Sequence, residues 1–188
     1  MKRSLLRRLG RDARGSTMVE MALVFPLLLT LTFAILEFGN AFYQWLIAEK
    51  ATEMGVRFAV TAPIVATGLS DCGVATTATA GTPCRLVAGS AGWSRTCTSG
   101  SGNGCDATAF AAIVARMQAI YPRIAAANVT VQYSGTGLGF VGRGSPVPNV
   151  TVSLSNLTFD FVVLNGLLGL RQIAMPDFRA TLTGEDLS

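Results

Sequence analysis

Met21–Leu36, sixteen residues without a charge, limits what this chain can become more than any other segment. As a helix it extends about 24 Å at 1.5 Å per residue, slightly less than a hydrocarbon core of ~30 Å. Ser16–Glu20 or Phe38–Tyr43 must therefore share the apolar layer. Six bases precede it, at Lys2, Arg3, Arg7, Arg8, Arg11 and Arg14, with a single acid, Asp12, and a glycine at Gly15. One carboxylate, Glu20, stands at the entry to the run. An acid near a bilayer centre costs about 2.5 to 3.5 kcal/mol on insertion scales, which makes intramembrane acids functional candidates. A signal anchor whose Glu20 snorkels to the interface is the simplest alternative.

The net charge of +4 is unevenly placed. The first fifteen residues carry +5, and the remainder, with nine bases and ten acids, carries −1. Basicity confined to one end of an apolar helix sets orientation and is no nucleic-acid footprint. Flanking positive charge stays cytoplasmic, so residues from about Gln44 onward are expected outside the cytoplasm. Cys72, Cys84, Cys97 and Cys105 all fall in that exported part. An even number in an oxidising compartment favours two disulfides, with three pairings open. The chain has no histidine and no C-x-x-C, so zinc and any other metal or cofactor find no ligand pattern.

The pattern predicts one long helix from residue 16 to about 60, kinked at Pro26 and stopped by Pro63. Past Glu37 it reads as amphipathic: Phe38, Phe42, Trp45, Leu46 and Met54 alternate with Glu49, Lys50, Glu53 and Arg57. Tyr43 and Trp45 suit a membrane interface. Residues 64–105 are rich in Gly, Thr, Ser and Ala, without strong periodicity, and hold all four cysteines, with Trp93 as a packing anchor. Asp106 is placed to cap a second helix over Ala107–Tyr121, closed by Pro122, with Phe110, Ile113, Val114, Met117 and Ile120 on its apolar face.

Alternation at Val129, Val131 and Tyr133, and again at Val150, Val152 and Leu154, predicts two strands of a hairpin joined across Gly135–Gly144. Phe159, Phe161 and Val163 continue the second pattern past a bend at Asn156–Thr158, and a shorter strand is expected at Phe178–Leu182. The fold class is α+β: a long transmembrane helix, then an exported domain with an antiparallel sheet and a packed helix. Its organisation is 1–15 as a basic leader, 16–62 as the transmembrane helix with its amphipathic extension, and 63–188 as the exported, disulfide-containing domain.

Catalytic motifs are wanting. Gly137-Leu-Gly-Phe-Val-Gly142 spells a dinucleotide pattern, but Ser145-Pro-Val-Pro148 follows where a helix should open, so it reads as a flexible loop. Asn128, Asn149 and Asn156 begin glycosylation tripeptides that matter only in a eukaryotic secretory host. Absent histidine excludes Ser–His and Cys–His catalysis, and nothing recommends a carboxylate pair such as Asp71 and Asp106. A signal peptide cut at Gly39-Asn-Ala41 is a poor fit, because the amphipathic pattern continues through that site.

Arg11–Arg57 resembles the TadE-like family of the Tad (Flp-type) pilus system. The resemblance rests on Gly15-Ser16, Val19-Glu20, Ala22-Leu-Val-Phe-Pro-Leu27, Glu37-Phe38-Gly39-Asn40-Ala41, Ala51, and Gly55-Val56-Arg57. Met21 departs from the aromatic more usual there, and the cysteine-bearing region is not constrained by the family pattern. The resemblance implies a leader removed after Gly15 by a prepilin peptidase, with Ser16 as the new N-terminus and Glu20 as its fifth residue. It further implies a minor pilin or pseudopilin, single-pass in a bacterial inner membrane with a periplasmic domain. Related minor pilins, the major pilin, the assembly platform and membrane lipid are then its partners. An uncleaved assembly factor of the same system and a membrane-anchored periplasmic binding module are the alternatives.

Overall fold

The computed structural model describes residues 14–67, 78–87, 91–100, 102, 104–142 and 148–184. The leader up to residue 13, Asp71 and Cys72 lie outside them, as do the side chains of Ser16 and Trp93. Helix α1 spans Arg14–Ala59 and passes through Pro26 without a break. It ends earlier than Pro63, in a turn where the amides of Val60 and Thr61 donate to the carbonyls of Val56 and Phe58. Helix α2 spans Ala107–Gln118 and α3 spans Val163–Leu168. The strands are β1 (Ala91–Thr98), β2 (Val129–Thr136), β3 (Pro148–Leu154), β4 (Thr158–Asp160), β5 (Gln172–Ala174) and β6 (Phe178–Thr183). This is the expected α+β arrangement.

The described residues fall into two compact units. One takes in α1 up to Phe42 together with Phe159–Ile173; the other takes in Tyr43–Thr158 and the residues from Ala174 onward.

The second unit is built on a four-stranded antiparallel sheet in the order β1-β2-β3-β6. β2 and β3 form the predicted pair, with Val131 opposite Val152 and Tyr133 opposite Val150. Alternation puts Val129, Val131 and Tyr133 of β2, and Val150, Val152 and Leu154 of β3, into one buried face. Fully burying each such side chain contributes about 1.5–3 kcal/mol. Phe110, Ile113, Val114 and Met117 of α2 pack into the same core. Asp106 caps α2 as expected, its carboxylate accepting from the amides of Thr108 (2.7 Å) and Ala109 (3.1 Å).

The remaining contribution to the core corrects the expected amphipathic face. On α1 the buried residues are Ala48, Ala51, Thr52, Gly55, Val56 and Ala59, whereas Phe42, Tyr43 and Leu46 are exposed. Backbone-to-backbone approach selects small side chains, so the bulkier residues are left on the outside. Thr52, a buried hydroxyl on this face, is satisfied by donating to the Ala48 carbonyl at 2.9 Å. Gln44 marks the edge of the packed stretch, its side-chain oxygen accepting from the Tyr121 hydroxyl and Arg123 at 3.1 and 3.0 Å.

Two other expectations change. The low-periodicity stretch before α2 contains β1, an edge strand paired with β2 through Cys97 opposite Val131. Cys97 is bonded to Cys105, with Cα atoms 5.9 Å apart, and this ties β1 to the start of α2. Cys84 is also disulfide-bonded. The strand pattern at Phe159–Val163 does not extend β3: Asn156 adopts a left-handed φ of 58°, after which β4 pairs with β5 and Val163 opens α3. The Asn128 amide is engaged at this corner, accepting from the Ala125 amide and donating to the carbonyls of Ser155 and Asn156.

Tyr133 joins sheet and connection: its buried hydroxyl accepts from the Val65 amide at 3.2 Å. Burial pushes its phenol above the ordinary value, and the Val65 amide opposes that only in part. A raised folded-state value means that the neutral phenol favours the fold, fully below pH of about 10 and less as pH rises beyond it. Tyr133→Phe should cost about 1–3 kcal/mol at neutral pH by orphaning a buried amide. Chemical denaturation across the alkaline range should show stability falling more steeply in the unsubstituted protein than in Tyr133→Phe. Equal slopes would mean the phenol ionises as freely folded as unfolded.

Candidate functional site

The site that the sequence singles out is a helix surface. Along Met21–Leu36 the large apolar side chains are exposed on every side, including Leu23 at 73%, Leu27 at 70% and Leu36 at 67%. A helix apolar all round belongs in lipid or among other helices. Thr30 and Thr32, the polar side chains within the run, hide their hydroxyls by donating to the Pro26 and Leu29 carbonyls at 2.8 Å. Among the described residues, one helix is long and apolar enough to cross a membrane, within Thr17–Ala59. The chain therefore has the form of a single-pass membrane protein.

Gly15 and Glu20 lie in the first two turns of α1. Glu20 is exposed, and a Cβ at Gly15 would meet nothing within 4 Å. The remaining motif residues divide between the two units. In the first, Glu37 is half-buried and reaches the start of α3. One of its oxygens, Oε1, accepts from the amides of Val162 and Val163, both at 2.7 Å, and Oε2 accepts from Leu164 at 3.0 Å. The first amides of a helix have no partner within it, and α3 has no cap from its own N-terminal side chain. Glu37 supplies that cap from 125 residues away. Phe38 stacks beside it on Phe161, ring centroids 5.3 Å apart, and Phe161 packs edge-on against Phe159 at 5.2 Å. A Cβ at Gly39 would meet nothing within 4 Å, so that glycine is not required by packing in the chain itself.

In the second unit Gly55 has a steric reason. A Cβ there would fall 2.8 Å from both Cγ and Sδ of the buried Met117 on α2. Trp45 packs on Phe178 at 6.1 Å, edge to face. Arg57 is exposed and lines an open cleft of about 500 Å³ with Val60, Thr61, Leu182 and Thr183. No group of three or more His, Cys, Asp or Glu able to hold a metal occurs among the described residues. The glycines 137–142 do not open a helix: Gly139 and Val141 pair with the Thr82–Cys84 segment through Cys84 N to Gly139 O (3.0 Å) and Val141 N to Thr82 O (2.9 Å).

The amides of Val162–Leu164 were invisible as partners of Glu37 in the sequence. The one available signal was a charge-free apolar stretch, Val162–Leu170, bounded by Asp160 and Arg171.

An exposed apolar helix followed by a disulfide-bonded α+β domain is consistent with a single-pass membrane protein. Residues 15–57 match the family model described as TadE-like protein, a match lying wholly within α1. No curated protein and no solved structure matches the chain. The family match supports involvement in the Tad pilus system.

The Gly55 geometry makes a sign prediction. In an open helix Gly→Ala gains about 1 kcal/mol, but overfilling a packed core costs about 1–3 kcal/mol. Gly55→Ala should therefore lower stability in the natural background and raise it when combined with Met117→Ala. Denaturation of the four proteins of this cycle measures it, and stabilisation by Gly55→Ala alone would show that Met117 yields freely.

Proposed function

We propose that this protein is a minor pilin or pseudopilin of a Tad-type pilus, made as a precursor and processed between Gly15 and Ser16. The observation that carries the reading is the surface of α1: a charge-free run exposed on all faces, entered by one acid, in a segment that matches the TadE-like family. The basic residues before Gly15 hold the N-terminus in the cytoplasm, and the domain after Tyr43 lies on the other side of the inner membrane.

Removal of the leader creates an α-amine at Ser16, close to the hydrocarbon layer. The exposed carboxylate of Glu20 on a neighbouring subunit is a suitable counter-charge. A paired charge in low dielectric is much less costly than two separate ones, and this pairing would fix the axial register between adjacent helices. The exposed apolar residues of Met21–Leu36 then serve lipid before assembly and neighbouring helices after it. Partners on this reading are the prepilin peptidase, other TadE-like subunits, the major pilin and the assembly platform.

Intact mass of the membrane-extracted protein tests processing: the expected N-terminus is Ser16, and Gly15→Arg should leave the precursor uncut. A chain still beginning at Met1 in cells with active peptidase would favour the uncleaved assembly factor. Glu20→Gln should be processed normally yet lose incorporation into sheared pili or cross-linked subunit complexes. Undiminished incorporation would refute the register role.

A further inference from the structure

Val162–Leu170 holds no ionisable residue, yet it is not a core segment. Val162 is 79% exposed and Leu168 60%, with Leu167, Leu170 and Ile173 exposed beside them. Single exposed apolar residues are ordinary, but a contiguous group marks an interaction surface. The stretch is closed at its neck by the Phe161 amide donating to the Arg171 carbonyl at 3.0 Å. Within it, α3 begins on the Glu37 cap and ends at Gly169, whose left-handed φ of 73° lets its amide donate to the Asn165 carbonyl. The charged residues at this neck are Arg171 itself and Asp160 just before it, and both are exposed.

The attachment point sets its depth. Measured from Glu20, a ~30 Å hydrocarbon core is used up after about twenty helical residues, near Asn40. Glu37 and Phe38 then lie just inside the outer boundary, and so do the amides of Val162–Leu164 that Glu37 holds. Unpaired amides and an unpaired carboxylate are both costly there. Bonded together they satisfy one another, leaving Asn165 as the polar side chain exposed among the hydrocarbon ones of this stretch. The patch joins the apolar surface of α1 in the same unit where Phe38, exposed on that helix, stacks on Phe161.

We infer that Val162–Leu170 is a second membrane contact: Val162, Leu167, Leu168 and Leu170 enter the outer edge of the lipid bilayer, held at that depth by the Glu37 cap. The inference rests on the reading that Met21–Leu36 spans the bilayer. The occupant of the surface is lipid acyl chain, which needs no shape complementarity from a partner. Glu37 is accordingly a positioning residue.

The test uses the full chain in lipid nanodiscs, with single nitroxide labels at Leu168→Cys, Leu28→Cys and Thr181→Cys; the described natural cysteines are disulfide-bonded and do not react. Collisions with oxygen and with a water-soluble nickel complex report depth. The expected result is oxygen access with loss of nickel access at positions 168 and 28, and full nickel access at 181. Nickel access at 168 with protection at 28 overturns the second contact and leaves the span intact. Nickel access at both overturns both. Exclusion of both reagents at 168 means that protein covers the patch, and that also overturns it. Adding Glu37→Ala to the Leu168 label should restore nickel access while amide-exchange protection in β2 and β3 is unchanged. Unaltered depth in that variant removes Glu37 from the account.

Discussion

Helix α1 has to meet two different solvents along one unbroken backbone, and most of the structure follows from how it does so. Through Met21–Leu36 it offers bulky apolar side chains in every direction, as a helix facing lipid or other helices must. From Ala48 to Ala59 it offers a stripe of small residues to a protein core. Gly55 is the tightest point of that stripe, since Met117 of α2 occupies the space a side chain would need. Close approach lets dispersion contacts build up over the whole face. The aromatic residues between these stretches, Phe42, Tyr43 and Trp45, are all exposed, and Trp45 also packs edge-on against Phe178.

Polar groups near the apolar layer are handled by pairing within the chain. Thr30 and Thr32 donate to helix carbonyls, and Glu37 accepts three amides that the start of α3 leaves without partners. Three hydrogen bonds from one side chain thus fix the first turn of a short helix that could not persist alone. Glu20 differs in this respect, being exposed at the helix start. The contrast between the two acids supports different roles: Glu37 works within the chain, and Glu20 is left for a neighbour in the proposed pilus assembly.

What could be read directly were the elements whose side chains follow the period of their backbone. The charge-free run, the Asp106 cap with its Phe110–Met117 face, and the alternation of β2 and β3 are of this kind. Strand β1 escaped because Arg95 interrupts the alternation of Ala91, Trp93 and Cys97; it is held by ladder bonds to β2 and the Cys97–Cys105 bridge. The Phe159–Val163 pattern misled for the opposite reason. Its alternation is real, but the left-handed turn at Asn156 takes it off the main sheet. The amphipathic face of the extension was assigned to its largest apolar residues, whereas the core chose the smallest.

Composition and order alone determined that the chain carries one apolar helix with a basic approach and an acid at its entry, followed by an α+β domain with its cysteines. These are local properties, set by which side chains sit at which spacing. Only the tertiary structure decided that Glu37 caps α3, that Gly55 must be small, and which face of α1 is buried. Each depends on backbones that are far apart in sequence and a few ångströms apart in space, and no periodicity along the chain records that distance.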